Sequence, residues 1–170
     1  MREVLTALEE HSAPDTVQFY WVNAKADVVR AMTVRELEEQ SASVGHMLLS
    51  TYEARRGEAV VVVYPFGLEY MIGFVACLRA GLLAVSVSPP RPDEVRVFRE
   101  KVERVHARLC LTTTQYRWGV VALSWNEWPA VTWVCTDGAS GERCESRPVR
   151  DQAAFVQFTS GSTGVPKGVM

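Results

Sequence analysis

The sequence predicts an α/β protein made of βαβ units, with a largely parallel sheet flanked by helices. Two observations lead there. The apolar runs "EAVVVVY" (58–64), "LLAVSVS" (82–88) and "LCLTTT" (109–114) are continuous rather than alternating, the pattern of strands buried on both faces. Segments of helical period separate them, and parallel neighbours need such crossovers.

The elements follow in chain order. "VQFYWV" (17–22) has strand composition, and "DVVRAM" (27–32) is its expected partner across a turn at 23–26. Thr33 followed three residues later by Glu36 is a capping-box signature, and Val34, Leu37, Val44 and Leu48 behind it fall near helical spacing. Gly57 ends the connection into the first buried strand, and Pro65 and Gly67 make the turn out of it. Leu68 to Ala80 reads as a buried helix closed by Gly81. Pro89, Pro90 and Pro92 stop the second strand. From Asp93, the residues Val95, Phe98, Val102, Val105 and Leu109 form one apolar stripe, with Arg, Lys and Glu opposite. "AVTWVC" (130–135) is a fourth strand, 136–152 a polar surface loop, and "AAFVQF" (153–158) a last strand.

Composition limits the function classes. The 170 residues carry 18 basic and 20 acidic side chains, a formal net charge of −2, which offers no support for nucleic acid or an anionic membrane as partner, and no nucleic-acid partner is expected. No apolar stretch reaches the length of a membrane span. The opening "MREVLTALEEHSAPD" has acids where a signal peptide needs an apolar core, so a cytoplasmic protein is expected. Cys77, Cys110, Cys135 and Cys144 lack CxxC spacing, and Cys77 and Cys110 sit inside apolar runs as small core residues. His46 reads as a packed structural histidine, and His11 and His106 as solvated. Trp125 and Trp128 either pack against the sheet edge or line an entrance or partner patch, the first reading being preferred. Asp137 and Glu142 are assigned no role.

The chemistry concentrates at the end. "TSGSTG" follows the last strand without a gap, and "VPKG" comes next. A phosphate-binding loop needs free backbone N–H groups, glycines for close approach, hydroxyl donors and a cation. Thr159, Ser160, Gly161, Ser162, Thr163, Gly164 and Lys167 supply all four, and Pro166 stiffens the loop before the lysine. This is not the loop of kinases and GTPases. Counted from Gly161, that pattern places a glycine at position 166 and a hydroxyl residue at 168, where this chain has Pro166 and Gly168. On residue types alone, a flexible Gly/Ser/Thr loop without a ligand is an equal alternative.

The full string "TSGSTGVPKG" resembles the phosphate-loop signature of the adenylate-forming superfamily. "TVREL" (33–37) resembles that family's early helix start, with Val34 in place of the usual aromatic residue. "CLRAGLLAVSVSPPRP" (77–92) resembles its second core motif. Within the superfamily, "VYPFGLEYMIGFVACLRAG", "SVSPPRP" and "LCLTTTQY" are most similar to fatty acyl-AMP ligases, although Phe66 replaces the second proline of the usual Tyr-Pro-Pro-Gly.

The resemblance implies that residues 1–170 are the N-terminal portion of a large AMP-binding domain, incomplete at the C-terminus and without the small C-terminal domain. It implies an ATP-dependent ligase that forms acyl-adenylate from a fatty or other carboxylic acid and releases pyrophosphate. The acceptor would be CoA or an acyl carrier protein. The loop residues Thr159, Ser160, Gly161, Ser162, Thr163, Gly164 and Lys167 would hold the phosphates of ATP·Mg²⁺. The Mg²⁺ ligand and the catalytic lysine are expected outside this chain, so no catalytic residue is expected within it and the chain alone is expected to be inactive. The alternative is a non-catalytic acyl-AMP-ligase-like binding or interaction module.

Overall fold

The computed structural model describes residues 13–65, 67–119, 128–145, 153–159 and 167–169. Strands β1 (Val17–Val22) and β2 (Val28–Thr33) form an antiparallel hairpin. Its turn is organised by Asn23, whose side-chain oxygen accepts the N–H groups of Lys25 at 2.8 Å and Asp27 at 3.0 Å. Phe19 and Trp21 alternate inward onto the core, while Tyr20 and Val22 stay exposed.

Helix α1 (Val34–Ser50) starts on the expected box. Glu36 N–H donates to Thr33 Oγ1 at 3.1 Å, and Thr33 N–H donates to Glu36 Oε2 at 2.7 Å. Such a cap contributes about 1 kcal/mol. The buried stripe Val34, Leu37, Val44 and Leu48 contributes roughly 1.5–3 kcal/mol per large side chain. Packing therefore holds the helix, and the cap fixes where it begins.

The main sheet contains β3 (Ala59–Val62), β4 (Leu83–Ser86), β5 (Leu109–Thr112), β6 (Thr132–Cys135), β7 (Phe155–Thr159) and β8 (Lys167–Val169), in the spatial order β6-β5-β3-β4-β7-β8. The first five in that order are parallel, and β8 joins β7 antiparallel. Helix α2 (Glu69–Ala80) links β3 to β4 and closes on Gly81, whose φ of 70° is the left-handed cap that glycine adopts without a side-chain penalty. Helix α3 (Val95–Arg104) links β4 to β5 after a 3₁₀ turn at Pro92–Glu94, and the short α4 (Thr114–Gly119) follows β5.

The continuous apolar runs make sense against this architecture. Val60 and Val62 face the core under α1 and α2, whereas Val61 and Val63 face the core under α3. Both faces of β3 are covered, so alternation would bury polar side chains. On the α3 side, Phe98, Trp128 and Trp133 pack ring against ring at centroid separations of 5.4–6.2 Å. Trp128 is thus a core residue, as preferred, and Trp125 lies outside the described residues.

One helix ends earlier than the sequence expectation. Helix α3 ends at Arg104, and His106 turns the chain at a φ of 52°. Leu109 consequently opens β5, where it pairs with Val60, instead of extending the helical stripe. Helix α4 and strand β8 were not anticipated. Among the described residues, no helix is long and apolar enough to cross a membrane.

Candidate functional site

Five parallel strands end on one edge of the sheet, at Val62, Ser86, Thr112, Cys135 and Thr159. The chain leaves β3 for α2 over one face and leaves β4 for α3 over the other. Adjacent connections that diverge in this way open a crevice at the carboxyl ends of the strands, where open α/β sheets bind ligands. Strand β7 lies directly beside β4, with Val85 opposite Val156 and Ser86 opposite Gln157.

Thr159 is the last residue of β7 and Lys167 the first of β8, and the two are backbone partners. These paired ends lie on the carboxyl edge of the sheet, one strand from the divergence; residues 160–166 lie outside the described residues. Of the expected phosphate-contacting residues, the structure brings Thr159 and Lys167 together through their backbones. Ser160, Gly161, Ser162, Thr163 and Gly164 lie outside the described residues.

The hairpin base is held from both faces. Val156 is buried among the α3-side residues. Phe155 meets Phe74 of α2 edge-on at 5.9 Å, and Phe74 stacks on Tyr70, whose hydroxyl is 2.9 Å from Ser86 Oγ. Phe158 is partly buried, with Lys101 Nζ 5.7 Å from its ring centre.

A second concavity of about 150 Å³ is lined by Arg30, Gln40, Val44, Glu69, Ile72, Thr136, Asp137 and Ala139. Most of its polar groups serve one another or the fold. Arg30 pairs with Glu69, and Thr136 Oγ1 is 2.7 Å from the buried Tyr64 hydroxyl. Asp137 Oδ1 accepts both the N–H and the hydroxyl of Thr114 at 2.9 Å, capping α4 from another element. That role was missed in the sequence because the capping partner is 23 residues away. Glu142 likewise has a partner that spacing does not reveal, His46 Nε2 at 3.2 Å, with His46 half-buried.

Burial holds three of the thiols, Cys77, Cys110 and Cys144, in the protonated form. All four cysteines are free. Burial pushes Cys77 up to about 12 and raises Cys110 well above the ordinary thiol range. Burial raises Cys144 too, against the opposing charge of Arg79. Among the described residues, no three His, Cys, Asp or Glu side chains gather as a metal site.

Comparison with known proteins agrees with this geometry. The model of the family described as AMP-binding enzyme matches residues 8–170. A medium-chain-fatty-acid–[acyl-carrier-protein] ligase, JamA of Moorena producens, is 29% identical over 84% of this chain and 26% of its own length. Human disco-interacting protein 2 homolog A is 27% identical over 94% of this chain and 11% of its own length. The chain thus spans about a quarter and about a tenth of these relatives. A crystal structure of a fatty acyl-adenylate ligase from L. pneumophila, in complex with acyl adenylate and pyrophosphate, shares the fold with a TM-score of 0.78 at 23% identity, covering 99% of this chain and 29% of that one. The N-terminal subdomain of NpsA from Klebsiella oxytoca shares it with a TM-score of 0.71 at 22% identity, covering 98% and 40%.

Proposed function

The chain belongs to the AMP-binding enzyme family, and on that premise we propose that it is the N-terminal portion of an ATP-dependent ligase that activates a fatty acid as acyl-adenylate. The observation that carries this reading is the backbone pairing of Thr159 with Lys167 at the carboxyl edge of the sheet. It sets the backbones of Thr159 and Lys167, which flank the Ser/Thr/Gly segment, on the edge where the crevice opens.

The reaction asks for charge stabilisation and positioning rather than for a protein nucleophile. A carboxylate oxygen of the acid attacks the α-phosphorus of ATP, the bond to the bridging oxygen breaks, and pyrophosphate leaves with the electron pair. Negative charge then gathers on the β- and γ-phosphates. In this reading Ser160, Ser162 and Thr163 donate hydroxyls to those oxygens, Gly161 and Gly164 donate backbone N–H groups, and Lys167 supplies the compensating cation. Thr159 anchors the loop to the strand end. Mg²⁺ accompanies ATP, with its protein ligand outside this chain, and no step here runs through it. The thiol of CoA or of an acyl carrier protein then attacks the acyl carbon, forming a thioester as the acyl–phosphate bond breaks, AMP leaves with the electron pair and the thiol proton is lost to solvent.

The alternative, a non-catalytic interaction module, rests partly on the tryptophans of 117–133, of which Trp128 and Trp133 are buried while Trp118 is exposed. The ligase reading is tested by Lys167→Ala within a full-length ligase that carries this segment. ATP–pyrophosphate exchange should fall about 10²–10³-fold, the effect of losing one transition-state charge donor. Unchanged exchange would overturn the assignment of Lys167.

A further inference from the structure

Gly168 is absent from the group of phosphate-contacting residues, yet the geometry points to it as the positioning residue of the hairpin; we propose that its missing side chain is what lets β8 carry Lys167 beside Thr159. This rests on the phosphate-loop reading above for its functional consequence, though not for its steric basis.

Gly168 pairs with Phe158 across the hairpin. A Cβ on Gly168 would stand 3.1 Å from Val156 Cγ1 and 3.7 Å from Phe158 Cε1. The first contact is tighter than most side-chain contacts, so one side has to give by a few tenths of an ångström. Val156 is 7% exposed and packed in the α3-side core, on a strand paired on both edges. The Phe158 ring is partly buried, with the Lys101 ammonium 5.7 Å from its centre. By contrast, β8 is three residues long, pairs only with β7 and lies at the edge of the sheet. The yielding side is β8. A side chain at 168 therefore displaces the short edge strand and, with it, the backbone of Lys167 one residue away. A shift of a positioned group, even one of a few tenths of an ångström, weakens what it holds.

The test uses the 170-residue chain in four forms: unsubstituted, Gly168→Ala, Val156→Ala, and the double variant, in which truncating Val156 removes the contacted methyl. Two quantities are read, the cross-strand nuclear Overhauser contacts between residues 159 and 167 and the affinity for inorganic pyrophosphate. Gly168→Ala should weaken or shift the cross-strand contacts and lower pyrophosphate affinity severalfold. Val156→Ala should leave both near the unsubstituted values, and the double variant should recover them. Contacts and affinity unchanged in Gly168→Ala, or a double variant no better than Gly168→Ala, would overturn the proposal. Absence of pyrophosphate binding by the unsubstituted chain would overturn the phosphate-loop reading instead, and the cross-strand contacts would still decide the steric claim.

Discussion

Glu36 ties local chemistry to a measurable property of the protein. It accepts from the backbone N–H of Thr33 and from its hydroxyl, and these bonds hold its carboxyl below the ordinary range. A depressed folded-state pKa contributes stability that is complete above the unfolded value, about 4.3, and drains away as pH falls through the folded one. The stability advantage of the native protein over Glu36→Gln should therefore be constant near neutrality and shrink below about pH 4.3, as followed by urea unfolding at a series of pH values. Because the carboxylate is exposed to solvent, the advantage is small. An advantage that grows on acidification would contradict the cap. At this scale the sequence was legible wherever partners are near in the chain, as with Thr33 and Glu36. It was opaque where they are distant, as with Asp137 and Thr114 or His46 and Glu142, because spacing carries no signal for contacts created by folding.

Between elements, close approach replaces periodicity as the deciding factor. Helices α1 and α2 and the segment 142–144 meet at Gly45, where a Cβ would lie 2.6 Å from Cys144 Sγ. That segment is clipped to α1 by Cys144 N–H donating to Ala42 O at 3.1 Å and by Arg143 pairing with Glu39 at 3.2 Å. Gly45→Ala should gain about 1 kcal/mol of helix propensity when Cys144 is also alanine, and lose that gain to the clash when Cys144 is present. A double-mutant cycle by urea unfolding measures the difference, and simple additivity of the two substitutions would refute the contact. The continuous apolar runs identified β3, β4 and β5 because burial on both faces imposes a composition that local reading detects. Strand β8 was invisible for the opposite reason. Three residues at an edge, one of them glycine, have no periodic pattern, and only pairing with β7 makes them a strand. The end of α3 was misjudged because Val105 and Leu109 continue the helical stripe in the sequence, while β5 needs Leu109 opposite Val60.

For the whole molecule, topology does what no single motif can. The Ser/Thr/Gly segment alone is compatible with a loop that binds nothing. What favours phosphate is that its two ends are paired on the carboxyl edge, beside the point where α2 and α3 leave on opposite faces. The order β6-β5-β3-β4-β7-β8 brings this about, since the chain returns from the far edge of the sheet to place β7 next to β4. Residue identities carry the proposed loop chemistry, but the sheet order that sets Thr159 and Lys167 on this edge depends on long-range pairing that no local signal encodes. The most direct test of the account is a titration of the isotope-labelled 170-residue chain with inorganic pyrophosphate, following every backbone amide. Saturable shifts concentrated at residues 159–168 and at the neighbouring ends of β3 and β4, and lost in Lys167→Ala, are the predicted result. Shifts centred elsewhere, or an unchanged response in Lys167→Ala, would contradict a phosphate site on this edge.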